Sequence, residues 1–491
     1  MKLPAEIYST DSVRRIDRLA IELAGIAGYT LMNRAGRAAL ELARRSWPDA
    51  RRWQVVCGAG NNGGDGYVLA RLAADSGLEV RVTALVPGES LSGDAATACR
   101  DFVAAGGVVH AWDGRLDESA ELLVDAILGS GLTRKAEGHF AEAVEGMCRH
   151  GAPVLALDIP SGISGDTGEV LGCAVRAART ITFVGLKSGL FLADAPDFVG
   201  HLSWADLGVP DSCRTAVSPV MRRIGADAIA RGLPPRSHGA HKGHFGHLLL
   251  VGGAPGMAGA IRLSGEAALR SGAGRVSIAT HPSHCSAIVA GCPELMCHGI
   301  ETGEELRTLL SRVSTVAIGP GLGTGTWGRN MYRAVLEADL PTVVDADGLN
   351  LLAGNARRRE DWVLTPHPGE AARLLDSSPA EVQGARLEAL TRLAARYGGA
   401  IVLKGAGTLV SASEGPPWLC TSGNPGMAAA GMGDILTGVI GALLAQGLGL
   451  EDAAVCGVEV HARAGDAAAG KAPRGLIASD LLPALRAGVN P

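Results

Sequence analysis

Thr421–Leu444 reads TSGNPGMAAAGMGDILTGVIGALL. Turn formers and small residues open the stretch, and Pro425 disfavours a helix just before it. From Ile435 it becomes apolar enough for a buried helix. Gly431 and Gly433 carry no side chains, so a phosphate could approach the backbone N–H groups closely. The first turn of a helix is also partly positive, which favours an anion. Asp434 stands at the same end, where its carboxylate would either cap the helix or take a proton from a hydroxyl.

Composition narrows the setting. The 491 residues imply more than one domain and ample core. A net charge of -5 leaves no basic field for nucleic acid or an anionic membrane. The 69 glycines, about twice the usual share, predict many tight turns and backbone-lined sites. Aromatic residues make up only 4%, so the core must be built from Ala, Leu, Val and Ile, and stacking surfaces for bases are scarce. The 10 cysteines are scattered without a C-x-x-C pair, which fits free thiols in a reducing compartment. Asp11, Arg14, Arg15 and Asp17 interrupt any apolar run at the start, so no signal peptide is expected. Ile435–Leu450 is short for a membrane span and broken by glycines and Gln446. The expectation is a soluble, cytoplasmic protein.

In the first half, residues 9–46 have helical spacing, with Ser9, Thr10 and Asp11 as plausible caps. Trp53–Cys57 then reads as a buried strand running into GAGNNGGDGYVLARLAADSG. Strand, glycine turn and helix suit phosphate binding at a helix N-terminus. Gly58, Gly60 and Gly63 formally match G-x-G-x-x-G, but the next strand, Glu79–Val86, ends in VPGE, so the dinucleotide fingerprint is imperfect. The polar run Asn61, Asn62 and Asp65 is the unusual part; such side chains either close the turn or face a ligand. Glu121–Leu128 leads into GSGLTRK, and Val154–Leu157 leads into DIPSG. Three strand ends thus converge on one edge of an open α/β sheet, where ligands bind. Asp125 interrupts an apolar strand, and a buried carboxylate needs a partner. A cation held by oxygens of Asp125, Asn62 and Ser161 would supply one. Arg134 and Lys135 either neutralise ligand phosphates or are solvated surface.

Together GAGNNGGDG, DAILGSG-L-x-R and DIPSG resemble the NAD(P)H-hydrate epimerase domain. The resemblance implies hydrate binding by Asn61, Asn62, Gly63, Gly64 and Asp65. It implies the same for Gly129, Ser130, Gly131, Leu132, Thr133, Arg134 and Lys135, and for Asp158. It also implies a potassium ion at Asn62, Asp125 and Ser161, and makes Asp158 the acid/base candidate for interconverting the two C6 epimers.

Periodicity is lost from Asp206 to about Pro235, where Pro234–Pro235 and a Gly/His mixture mark a junction. The expected domains are 1–220 and 221–491. His238, His241, His244 and His247 have odd spacing for zinc and no acidic neighbours, so they read as a loop rather than a metal site.

The second half repeats strand, glycine loop and helix over six apolar strands, which predicts a second α/β domain with one lined cleft. KGAGT at Lys404–Thr408 offers an ammonium and flexible backbone to phosphates. No G-x-x-x-x-G-K-[ST] occurs, so this is not a Walker-type ATPase. His367 lies between two prolines in a rigid turn, and Asp345 and Asp347 end a strand, where one of them would cap the following helix.

With GPGLG, PHPGE, KGAGT, GMGD and the opening HKGHFG, this half resembles the ADP-dependent NAD(P)H-hydrate dehydratases, which have a ribokinase-like fold. That resemblance implies hydrate contacts at Ala258, Gly321, His367 and Asp434. It implies that Lys404, Gly405, Ala406, Gly407, Thr408 and Gly433 hold the adenine nucleotide, and that Asp434 is catalytic. The chain as a whole then resembles bifunctional repair enzymes: a Rossmann-like three-layer α/β domain followed by a ribokinase-like α/β domain. Such enzymes act on NADHX and NADPHX, with K+ in the epimerase and Mg2+ with ADP in the dehydratase. Neither nucleic acid nor membrane is an expected partner, and a homo-oligomer is expected. The alternative is a ribokinase-type small-molecule kinase fused to a non-catalytic nucleotide-binding module.

Overall fold

Short apolar runs between glycine loops become buried parallel strands in both halves, because a sheet covered by helices on two faces needs apolar residues on each. The computed structural model describes residues 3–132 and 134–490. The chain divides into two compact units, Met1–Arg222 and Arg223–Pro491.

Among the described residues, the main sheet of the first unit has seven strands. They are β1 (Arg52–Cys57), β2 (Glu79–Ala84), β3 (Val109–Ala111), β4 (Leu122–Ala126), β5 (Val154–Leu157), β6 (Arg179–Phe183) and β7 (His201–Ala205). Their order is β3-β2-β1-β4-β5-β6-β7, parallel throughout. That order places a topological switch between β1 and β4, the crevice where open α/β sheets bind ligands. The helix Asn61–Asp75 follows β1 directly and lies close to the sheet. A β-carbon at Gly66 would stand 2.5 Å from Ala126 Cβ and 2.9 Å from Cys57 Sγ, so only glycine allows this approach. Residues 9–46 form two helices, Thr10–Glu22 and Gly28–Ser46, and Ser9 Oγ caps the first by accepting the Ser12 N–H at 3.1 Å.

The second unit repeats the arrangement with β8 (His247–Val251), β9 (Arg275–Thr280), β10 (Met296–Gly299), β11 (Thr315–Ile318), β12 (Thr342–Val344), β13 (Trp362–Leu364), β14 (Ala400–Leu403), β15 (Leu409–Val410) and β16 (Trp418–Leu419). Their order is β10-β9-β8-β11-β12-β13-β14-β15-β16, and only the last two pairings are antiparallel. The described residues therefore add β10, β15 and β16 to the six expected strands. β15 and β16 have two residues each, and β10 is an edge strand with an exposed Met296, so neither length nor periodicity announces them.

The helix Met432–Ala445 is buried along nearly its whole length and packs on the helix Ala258–Arg270. A β-carbon at Gly438 would stand 2.1 Å from Ser264 O, and Ser264 Oγ donates to Asp434 O at 2.8 Å. His241 and His244 stack at 3.8 Å and close a short turn, with His241 Nδ1 accepting the Gly243 N–H at 3.1 Å. No helix among the described residues is long and apolar enough to cross a membrane.

Candidate active sites

In the first unit the site forms where β1, β4 and β5 end. Asp158 follows β5 with φ 64, a left-handed conformation uncommon for a residue with a side chain and a recurrent feature of functional sites. Its N–H donates to Ile181 O at 2.8 Å. Asp158 Oδ1 is ion-paired with Lys187 Nζ and accepts a 3.3 Å bond from Thr182 Oγ1, while Oδ2 accepts the Ser130 N–H at 3.4 Å. Lys187 is 2% exposed and also donates to Thr182 Oγ1 and Phe183 O, both at 3.0 Å. Burial works against the charge of Asp158, yet the Lys187 ammonium and the Ser130 amide hold it below the usual carboxylate range.

Two further carboxyls feel the same ammonium. Burial pushes Asp17 up to about 6, with Lys187 opposing and Asp158 reinforcing the shift. Asp65 is raised as well, by burial and then by Asp158 and Asp17, with Lys187 opposing. A single lysine therefore faces three carboxyl groups, and the one in direct contact with it stays ionised.

Asn62 and Asp158 meet at Gly129, where a β-carbon would stand 3.2 Å from Asn62 Cβ and 3.7 Å from Asp158 Oδ2. The Asn62 amide is buried, and neither its oxygen nor its nitrogen has a protein partner. Gly63 and Gly64 are buried behind it, and Asn61 is exposed. Gly131 faces Arg14, whose Nη2 would lie 3.1 Å from a β-carbon there. Leu132 N–H donates to Gly129 O at 3.3 Å, and Arg134 and Lys135 are exposed. Thr133 lies outside the described residues. Asp125, fully buried, finds its partner inside the chain. Its Oδ1 accepts Ser161 Oγ–H at 2.5 Å and Ile127 N–H at 3.2 Å, and its Oδ2 accepts Ser161 N–H at 2.7 Å. Burial pushes it up to about 6, with these bonds opposing.

In the second unit the site forms at the ends of β12, β13 and β14 and at the start of the helix Met432–Ala445. The cap of that helix is Gly431, at φ 87, with no side-chain cap bond, so Asp434 is not its cap. Burial pushes Asp434 up to about 6, reinforced by Asp345 and opposed by Lys404. Lys404 Nζ is held at 2.7 Å by Asp345 Oδ1 and lies 3.8 Å from Glu370 Oε2. Burial works against its charge, but these two carboxylates outweigh it and keep the ammonium above its usual range. Thr437 Oγ1 donates to Asp345 Oδ2 at 2.8 Å. A β-carbon at Gly433 would lie 3.3 Å from Lys404 Nζ, so the GMGD turn rests on this ion pair.

His367 caps the helix Pro368–Leu375, accepting the Gly369 N–H at 3.0 Å, while Glu370 Oε2 accepts the His367 N–H at 2.8 Å. Its Nε2 stands 3.4 Å from Glu370 Oε1. Burial, Lys404 and Arg373 pull its ring below the usual histidine range. Ala258 begins its helix beside the Gly321 turn, where Ala254 N–H donates to Gly321 O at 2.7 Å. Asp347 Oδ2 accepts the Gly323 N–H at 2.9 Å, which ties the same turn to the helix Ala346–Gly354 that follows β12. Asp345 caps the next helix only by position, since its side chain turns to Lys404.

The site partners to which no sequence motif assigned a role in the site are Lys187, Thr182, Asp345, Glu370 and Thr437. PHPGE and DADGLN contain two of them, and a carboxylate beside a glycine loop was the available signal. Nothing local marks Lys187.

Two doubly wound sheets, each with a largely buried lysine–carboxylate pair beside a glycine loop, define a two-site α/β enzyme whose second half is ribokinase-like. Residues 28–189 match the family described as YjeF-related protein N-terminus, and residues 248–486 match NAD(P)H-hydrate dehydratase. The second unit is similar in fold to a ribokinase-like superfamily protein from Enterococcus faecalis, at 29% identity and a TM-score of 0.52, covering 55% of this chain and 95% of that one. The bifunctional NAD(P)H-hydrate repair enzyme Nnr of Coxiella burnetii is 46% identical over 99% of both chains. That of Escherichia coli K12 is 44% identical over 100% of this chain and 95% of its own. The chain belongs to the bifunctional NAD(P)H-hydrate repair enzymes.

Proposed function

We propose that the first unit interconverts the R and S hydrates of NADH and NADPH at C6, and that the second dehydrates the S hydrate while ADP becomes AMP and phosphate. Family membership over the full length supports this pairing. One observation carries the dehydratase: Asp434 is an uncapped carboxyl, raised to about 6, in the first turn of a helix that begins with glycine.

In the second unit, Ala258, Gly321, His367 and Asp434 hold the hydrate, and Lys404–Thr408 with Gly433 hold the nucleotide. Asp434 takes the C6 hydroxyl proton as that oxygen attacks the terminal phosphorus of ADP, and the bond to AMP breaks. Amides of the GMGD turn stabilise charge on the transferred group. The C6–O bond then breaks, with phosphate leaving and the ring nitrogen donating electrons. Loss of the C5 proton restores the dihydronicotinamide. Mg2+ accompanies ADP as part of the substrate.

In the first unit, Asp158 accepts the C6 hydroxyl proton and passes it to the ring nitrogen as the C6–N bond opens to an aldehyde. Rotation about C5–C6 and reclosure from the opposite face give the other epimer. The oxygens of Asn62, Asp125 and Ser161 suit a potassium ion, since all are hard donors and the Asn62 oxygen lacks a protein partner. Such an ion would supply a fixed positive charge at the site.

The test follows the near-ultraviolet absorbance of reduced nicotinamide after protein is mixed with an NADHX epimer mixture, Mg2+ and ADP. Complete recovery supports both activities. Recovery that stalls once the S form is exhausted removes the epimerase, and no recovery removes the dehydratase.

A further inference from the structure

Arg386, the first residue of the helix Arg386–Tyr397, is 3% exposed. Burying a guanidinium without a carboxylate is costly, yet only oxygens of neutral groups meet it. Nη1 donates to Gln383 Oε1 at 2.6 Å and Lys404 O at 3.4 Å. Nη2 donates to Leu403 O at 3.1 Å, Lys404 O at 3.4 Å and Gly407 O at 3.2 Å. Nε has no partner. Burial lowers the guanidinium only to about 10, so it stays charged at neutral pH.

Every backbone acceptor lies in one segment, Leu403–Gly407. Trans peptide geometry turns the N–H of the following residue opposite to each carbonyl, so the Gly405 and Thr408 amides face away from Arg386. Gly405 sits at φ 142, and a β-carbon there would stand 2.9 Å from Arg386 Nη1, so the guanidinium occupies the space a side chain would need. The Lys404 ammonium is already engaged by Asp345 and Glu370. Arg386 is therefore the fixed positive charge behind this loop that lacks a protein counter-ion among the described residues.

We propose that Arg386 is a positioning residue for the nucleotide: it holds the loop carbonyls inward and sets an uncompensated positive charge behind the amides that receive the phosphates. The inference rests on the reading that Lys404–Thr408 holds the nucleotide.

Calorimetric titration of the full-length chain with Mg-ADP and with adenosine tests it, using Arg386→Met, Arg386→Lys, Gln383→Ala and Ala406→Asp. Arg386→Met is expected to weaken ADP about tenfold or more while adenosine changes little, with Arg386→Lys in between. In turnover, KM for ADP should rise more than kcat falls. ADP affinity within about twofold of wild type, or equal losses for ADP and adenosine, overturns the proposal. If the Arg386 variants do not fold, Gln383→Ala removes the guanidinium's side-chain partner and is expected to weaken ADP about threefold. Unchanged ADP binding in that variant overturns the proposal as well. Ala406→Asp adds a negative charge at an exposed loop position. If it leaves ADP affinity unchanged, the loop is not the nucleotide site and the reading itself falls. If it weakens ADP while the Arg386 and Gln383 variants do not, only the role of Arg386 falls.

Discussion

In the first unit the carboxylate proposed to move the proton, Asp158, is the one paired with the buried lysine. In the second, Lys404 pairs with Asp345 and leaves Asp434 without a cation of its own. The two sheets run in the same order through their parallel strands, and both sites lie at strand ends. The pair nevertheless has opposite consequences. Contact with Lys187 keeps Asp158 below the usual carboxylate range, whereas burial without such contact raises Asp434 to about 6. A buried lysine can fix one carboxylate in its charged form, or occupy a neighbour and leave the next carboxyl poised to exchange a proton near neutral pH.

The largest effect that would break this comparison belongs to Asp434→Asn. Dehydration is expected to fall by about a hundredfold or more, as loss of a general base implies, while epimerisation proceeds at the wild-type rate. Dehydration retained in this variant would place the base elsewhere. Next comes Lys187→Met, which leaves Asp158, Asp17 and Asp65 without their ammonium. Breaking a buried pair typically costs about 3–5 kcal/mol, and the partial exposure of Asp158 puts this case at the low end or below it. The expected result is a lower melting transition for the first unit and loss of epimerisation. A variant that melts and epimerises like wild type would show that Asp158 does not depend on Lys187.

The pH profiles sharpen the contrast. Asp434 acts ionised, so kcat/KM for dehydration should fall as pH drops through about 6. Epimerisation should fall less steeply through that range, because Asp158 itself remains charged there. Parallel profiles would erase the distinction. The smallest effect concerns stability. A carboxyl raised in the folded state favours folding below its unfolded value and disfavours it as pH rises through about 6. Asp434→Asn should therefore stabilise the second unit by at most about 3 kcal/mol at neutral pH, with the gain vanishing below the ordinary carboxylate range. Denaturant melts at two pH values would measure it.

The loops were legible because their signals are local. GAGNNGGDG, DIPSG and KGAGT each follow a strand end with glycines and polar residues, GMGD opens a helix with the same mixture, and the parallel sheet order brings the first unit's loops to a common edge. The ionic partners were not legible, because they come from elsewhere in the chain. Lys187 lies beyond β6 in an apolar stretch and meets Asp158 only through folding. Arg386 belongs to a helix that also carries Glu388, Arg392 and Arg396, and nothing in the local sequence sets it apart from those charges. The Asp125–Ser161 hydrogen bonds were not legible either, because the two residues lie far apart in sequence and meet only in the fold.

The left-handed backbone of Asp158 has an evolutionary consequence. Asparagine also tolerates that conformation, has nearly the same shape, and is reached from aspartate by a single-nucleotide change. Its amide oxygen can stand in for Oδ1 and accept from Lys187, the Ser130 N–H loses its acceptor, and Asp17 and Asp65 still offset the Lys187 charge, so the pocket would survive without its base. One mutation would thus leave a folded domain that still holds its ligand and no longer transforms it, a short path from an enzyme to a sensor.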